Sequence, residues 1–189
     1  MSMYSLYRTE IEVLSDVIAI LIPDGTKTTI KKGSSIFIQQ ILGGMFTIQT
    51  DEGMLARIDG RYAQAIGQPI PIERREVTKE EVNAKGLKQC INDQLKTCYD
   101  PEIPVNIVDL GLIYRLEILK DIDDDSLAII KIAMTLTSPG CGMGEILKSD
   151  VEKKLIEIPG VKYVVVDLVF DPPWESSMMS EAAKLHLGF

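Results

Sequence analysis

A chain of 189 residues, 46% hydrophobic and 25% charged, has room for one or two globular domains, each with a modest core. Its net charge of −8 argues against a nucleic-acid backbone as main partner, and no apolar run approaches the roughly 18 residues of a membrane span. The opening MSMYSLYRTE has no basic start followed by an apolar block, and three cysteines at wide spacings make no disulfide framework, so a reducing cytoplasm is the expected compartment.

From about Ile11 to Ile58 short β-type runs alternate with turn signals: VIAILI, PDGT, TTI, KKGS, SIFIQQI, LGG, MFTIQT, DEG, MLARI. Turns at roughly 8–12-residue intervals predict a small all-β barrel or sandwich. Arg61 to Ile66 adds a helical turn. No catalytic constellation lies in this part, expected to be a β-rich domain over residues 1–67. Lys31-Lys32 and Arg74-Arg75 read as solvated surface charge.

The segment 68–77 has two prolines, no strong periodicity and a charge cluster, which is a linker signature. Thr78 with Glu81 three residues later forms a candidate capping box. On the helix that follows, Leu87, Cys90, Ile91, Leu95 and Cys98 share one stripe, and Tyr99-Asp100-Pro101 ends it. After the irregular DPEIPVNIVDLG come two strand-like runs, Leu112–Leu119 and Leu127–Thr137, separated by acidic DIDDD. Beyond the SPGCG corner, Met143, Ile146, Leu147, Val151, Leu155 and Ile158 mark an amphipathic helix that stops at Pro159-Gly160. VKYVVVDLVF is a third strand, Pro172-Pro173 closes it, and MSEAAKLHLGF is a short terminal helix. The expected class is therefore α+β: the barrel-like β domain, then an α-β-β-α-β-α domain over 78–189 with a small mixed sheet.

The cysteines differ. Cys90 and Cys98 sit on the apolar stripe, where free cysteine packs as a small hydrophobe. Cys141 stands among Gly140, Gly142 and Gly144, just ahead of a helix whose unpaired N–H groups and dipole favour a thiolate. One reading is a structural cysteine on a tight turn. The other, favoured by position, is a reactive or metal-binding thiolate.

Several chemistries are excluded by spacing. A phosphate loop needs Lys-Ser/Thr where Glu145-Ile146 stand, and GCGMG misses the dinucleotide pattern. His186, the single histidine, lies in the terminal helix and reads as surface rather than as the base of a cysteine protease. No resolving cysteine lies two residues from Cys141. Soft-metal coordination remains. A cluster normally takes four protein ligands, so one exposed cysteine cannot hold an electron-transfer centre. Transient holding is open, for instance between two chains that each donate Cys141, with a carboxylate, a small thiol or a client completing the shell.

YDPEIPVNIVDLGLIYRLEI, MTLTSPGCGMGEIL and VVVDLVFDPPWESSMMSEAAKLHLGF together resemble the PaaD-like family of metal–sulfur cluster biosynthesis proteins. The likeness covers about Thr78 to Phe189. The β-rich front, with IPDGTKTTIKKGS, QQILGGMFTI and ARIDGRYAQAIG, resembles the extension of the longer bacterial members called SufT. The resemblance implies an accessory factor in iron–sulfur protein maturation rather than an enzyme, acting between scaffold or carrier proteins and apo clients. It also implies a transient 2Fe–2S or 4Fe–4S cluster, and the shared-thiolate arrangement would make a homodimer.

By the same resemblance, the TxxxC motif places its residues on Thr137 and Cys141, DPE on Asp100 and Glu102, DLG on Asp109, and PPW on Pro172, Pro173 and Trp174. Each has a plainer reading. Thr137 caps a strand end or bonds the thiolate; Asp100 starts a turn or serves as an oxygen ligand or proton acceptor; Asp109 orders the loop. Trp174 seals the core or anchors a partner. The ESSMM stretch departs from the commoner family ending and bears on the C-terminal loop. Two other function classes remain: an adaptor that recruits clients and binds no cluster, and a thiol-dependent enzyme.

Overall fold

The computed structural model describes residues 10–72, 76–100, 102–138 and 143–189. The chain divides into two compact units, Met1–Arg75 and Glu76–Phe189.

In the first unit the alternating runs form one antiparallel sheet. Its strands are β1 (Glu10–Glu12), β2 (Val17–Ile22), β3 (Lys27–Ile30), β4 (Ser35–Leu42), β5 (Met45–Thr50) and β6 (Leu55–Asp59), in the order β1-β4-β5-β6-β2-β3. The inward positions Val17, Ala19, Ile36, Ile38, Phe46, Ile48, Ala56 and Ile58 make its core. Gly43 and Gly44, at φ 58° and 76°, connect Leu42 to its cross-strand partner Met45. Two consecutive positive φ values suit the tight reversal that matches strand twist, and glycine adopts them without a Cβ penalty. The expected helical turn is a 3₁₀ segment, Gly60–Ile66, in which the Arg61 N–H donates to the Asp59 side chain, and it presses Ala63 and Ile66 into the core. The short strand β1 is not announced by the sequence pattern.

The second unit begins with the expected capping box: Glu81 N–H donates to Thr78 Oγ1 (3.3 Å), and Thr78 N–H to Glu81 Oε2 (3.2 Å). The single helix expected from Thr78 to Cys98 is, however, two. Helix α1 (Lys79–Lys85) ends at Gly86, whose φ of 85° breaks the spiral, and α2 (Leu87–Leu95) starts anew. Helix α1 has no fully buried residue and rests only Val82, half-buried, against the core, whereas α2 buries Cys90, Ile91 and Leu95. Packing thus holds α2 on the core and glycine lets the chain turn to reach it. Cys98 is buried as expected, yet it lies past the helix end, in a turn closed by its N–H on Leu95 O.

Strand β7 (Ile113–Lys120) pairs antiparallel with β8 (Ala128–Met134), and β9 (Val161–Leu168) joins β8 in parallel through helix α3 (Gly144–Ile156). A parallel neighbour needs such a crossover. Leu147, Val151 and Leu155 of α3 join Ile130, Ile132 and Met134 of β8 in one core. After β9 the chain runs over the 110 region and ends in α4 (Glu181–Leu187), capped by Ser180. The class is α+β with a small mixed sheet, as the pattern predicts. No helix among the described residues is long and apolar enough to cross a membrane.

Candidate functional site

The irregular DPEIPVNIVDLG stretch is ordered by two side chains that fold back on their own backbone. Asp100 is 7% exposed. Its Oδ1 accepts the N–H groups of Glu102 (2.9 Å) and Ile103 (3.0 Å). Asn106 repeats the device: its Oδ1 accepts from Val108 N–H and Asp109 N–H, and its Nδ2 donates to Asp109 Oδ2 at 2.6 Å. Short polar side chains that bond the backbone two or three residues ahead make such turns without regular structure. Val105, Ile107, Leu110 and Leu112 then sink into the core and hold the loop down.

The first turn faces the end of β8. The second carboxylate oxygen of Asp100 accepts the hydroxyl of Thr137, 37 residues on, at 3.4 Å. Asp100, Glu102, Leu136, Thr137, Ser138, Met143, Gly144 and Leu147 line a narrow cleft of about 20 Å3, room for little more than one water. Glu102 is exposed at its rim and Thr137 half-buried. Cys141 lies outside the described residues. The sequence nonetheless places it in the four-residue connection between Ser138 and Met143, both of which line this cleft. Helix α3 opens at Gly144 with no side-chain cap.

The second turn meets the C-terminal segment. Asp109 O accepts Ser180 N–H (2.8 Å), and Leu110 O accepts the indole N–H of Trp174 (2.8 Å). Gly111 sits at φ 72°, and a Cβ there would come within 2.3 Å of Met178 O. Only glycine allows that approach. Asp109 and Trp174 therefore belong together, away from the residues that line the cleft: Trp174 is half-buried against the core and Asp109 orders the loop. Pro172 joins this group through its carbonyl, which accepts the Tyr114 hydroxyl at 2.9 Å.

A family model for iron–sulfur cluster assembly proteins matches residues 88–168. An Fe-S protein maturation auxiliary factor of Porphyromonas gingivalis is 46% identical over 95 residues, 50% of this chain and 85% of that protein. The Fe-S protein maturation auxiliary factor YitW of Bacillus subtilis is 41% identical over 104 residues, 55% and 96% of the two chains. The factor SufT of Staphylococcus aureus is 42% identical over 89 residues, 47% and 94%. The chain belongs to the SufT-like family of iron–sulfur cluster assembly proteins. The matched window holds Asp100, Glu102, Asp109, Thr137 and Cys141, and stops before Trp174.

In this SufT-like chain two charged residues escaped the sequence pattern. Asp150 and Lys154, one turn apart on α3, are buried, and Lys154 is only 2% exposed. The ammonium donates to Thr97 O at 2.7 Å and lies 3.4 Å from Asp150 Oδ2, an ion pair without hydrogen-bond alignment. They tie α3 to the chain three residues ahead of Asp100. An i,i+4 Asp–Lys pair looks like any surface pair, and only its position on the apolar side of α3, between Val151 and Leu147, hinted at burial. Thr135, beside the cleft-lining Leu136, is buried with a hydroxyl that makes no hydrogen bond among the described residues. No group of three or more His, Cys, Asp or Glu able to hold a metal converges among those residues.

Proposed function

We propose that this chain is a non-catalytic accessory factor of iron–sulfur protein maturation that takes iron or a 2Fe–2S or 4Fe–4S cluster as cargo at Cys141. In this reading it receives the cargo from a scaffold or carrier and releases it to an apo client. One observation carries the proposal: Asp100 and Thr137, from separate motifs, are hydrogen-bonded at a cleft whose lining flanks both ends of the connection that bears Cys141. The names of the three relatives described above, each a maturation auxiliary factor, support the same role.

The chemistry follows from the donor set. A thiolate is the usual protein ligand of such clusters. Among the described residues Asp100 Oδ2 accepts one long bond, which leaves lone pairs for iron or for a proton released as the thiol ionises. Thr137 steers that carboxylate. One thiolate and one carboxylate fall short of a closed cluster shell, so the remaining ligands come from the donor, the client or a second copy. An incomplete shell suits a carrier, because cargo held by few protein ligands is released readily.

Anaerobic reconstitution with iron and sulfide tests this. Wild type is expected to gain a visible chromophore that Cys141→Ser loses, and native mass measurement gives the number of chains per cluster. If the chromophore survives in Cys141→Ser, or if that variant matures clients as well as wild type does, the cargo reading is wrong. The second outcome would make the chain an adaptor that binds no cluster.

A further inference from the structure

The first unit holds a groove of about 180 Å3, built at one end of its sheet. Leu21, Ile30 and Ala56 form the floor, β3 one wall, and the turn between β5 and β6 the other. Such a volume takes one or two aliphatic side chains and is too small for an ordinary small-molecule site.

The β3 wall is a sheet edge. Leu21 N–H donates to Thr26 O, and bonded pairs alternate along an antiparallel ladder. Thr28 and Ile30 therefore spend their backbone groups on β2, while Lys27 and Thr29 turn theirs away from the sheet. Thr29 lines the groove. An edge unpaired among the described residues, beside a hollow with an apolar floor, meets the two needs of strand addition, main-chain bonds for affinity and a pocket for specificity.

Charge settles the partner's character. Lys31, on the same wall, is neutralised by Asp16 at 2.8 Å. Asp51 and Glu52, exposed on the opposite wall, are in no ion pair among the described residues and leave the groove negative. Pairing β3 with its own symmetry mate would bring two such acidic rims together, which like charge opposes. We propose that this groove docks an extended segment of a partner protein, added as a strand to β3, with an aliphatic side chain in the hollow and a basic side chain against Asp51 and Glu52.

A labelled, end-blocked peptide TVTKTT, whose Val and Lys are two apart and so share one face of a strand, is titrated into the full chain as the probe. Fluorescence anisotropy is expected to give saturable binding with Kd under about 1 mM, and amide NMR shifts are expected at Thr28–Lys31 and Asp51–Met54. The charge-reversed peptide TVTETT should not bind. Thr29→Pro removes one outward N–H without touching a bond to β2 and should weaken TVTKTT by roughly 3- to 10-fold. The double variant Asp51→Asn, Glu52→Gln keeps the fold independently of that change and should bring the two peptides to equal affinity. Equal binding of both peptides by wild type overturns the proposal. So do shifts located elsewhere, no binding at 1 mM, or concentration-dependent self-association that produces the same shifts without peptide.

Discussion

Asp100 does two separable things, and two substitutions separate them. Its Oδ1 holds the backbone N–H groups of Glu102 and Ile103, while its Oδ2 carries the charge that faces Thr137. Asp100→Ala strands both N–H groups. Each buried unsatisfied donor costs about 1–3 kcal/mol, and this loop is partly open to water, so the expected loss is about 2–4 kcal/mol. Asp100→Asn keeps an oxygen for both N–H groups and offers Thr137 an amide in place of a carboxylate. Only the charge assistance is lost, about 1 kcal/mol. Urea unfolding followed by the fluorescence of Trp174, the single tryptophan, reads both values, since its indole is bonded to the same loop. Cargo capture should order the variants differently. Asn, nearly as stable as wild type, should lose chromophore yield almost as far as Ala does, because both lack the anionic oxygen. Asn with full yield would reduce Asp100 to a turn-former, and Ala with wild-type stability would refute the loop argument itself.

Lys154→Met leaves the Asp150 carboxylate buried beside an apolar chain and should cost about 3–5 kcal/mol in urea unfolding, whereas Asp150→Leu with Lys154→Met should recover most of it; equal losses for single and double variants would contradict the pairing. Thr135→Val replaces a buried, unbonded hydroxyl with a methyl and should leave stability unchanged or raise it by about 1 kcal/mol, a drop in melting temperature being the contrary result. Gly111→Ala must abandon φ 72° and clear Met178 O, so a loss of at least about 1–3 kcal/mol is expected, with faster proteolysis after Trp174; unchanged cleavage would show that the C-terminal segment does not rest there. The hydrogen bond from Lys162 holds Asp121 below its ordinary value of 3.8 and lifts Lys162 above 10.5. The depressed carboxylate contributes stability above its unfolded pKa that vanishes as pH falls through the folded one. The raised ammonium contributes below its unfolded pKa and loses that contribution as pH rises through the folded one. The stability gap between wild type and Asp121→Asn should therefore be flat between the two values and close at both ends, and a gap that ignores pH would count against the pair.

Most strands of the first unit were legible because short β-type runs, VIAILI, SIFIQQI and MFTIQT, stand between turn signals, and because Gly43-Gly44 marks a reversal that few other residues permit. The broken helix was not legible. The apolar stripe begins at Leu87, so the residues before Gly86 offered only helix propensity and a capping box, and both are satisfied by α1 as a separate helix. Gly86 is the local signal for the break, but a glycine inside a helical run is also compatible with one continuous helix; the core that α2 must reach decides it. Burial of Asp150 and Lys154 was hidden for the same reason, since the partner that justifies it, Thr97 O, is 57 residues away.

The motif residues were named by the sequence, but their grouping was not. Asp100, Glu102 and Asp109 are close in the chain, and two side-chain turns split them in space: the turn at Asp100 opens toward Thr137, and the turn at Asn106 toward Ser180 and Trp174. Asn106, the residue that makes the second turn and fixes Asp109, drew no attention because an asparagine in a loop is common. The signal was available in NIVDLG, where an asparagine three residues before an aspartate and five before a glycine at positive φ describes a tight reversal. This loop is held at one end by the C-terminal segment and at the other by Asp100, and the buried Val105, Ile107 and Leu110 join the two ends. Changes near Trp174 are therefore expected to reach the cleft through this loop, and cargo yield measured in Trp174→Phe, which loses the bond to Leu110 O while keeping most of the ring's packing, is where that coupling would be seen.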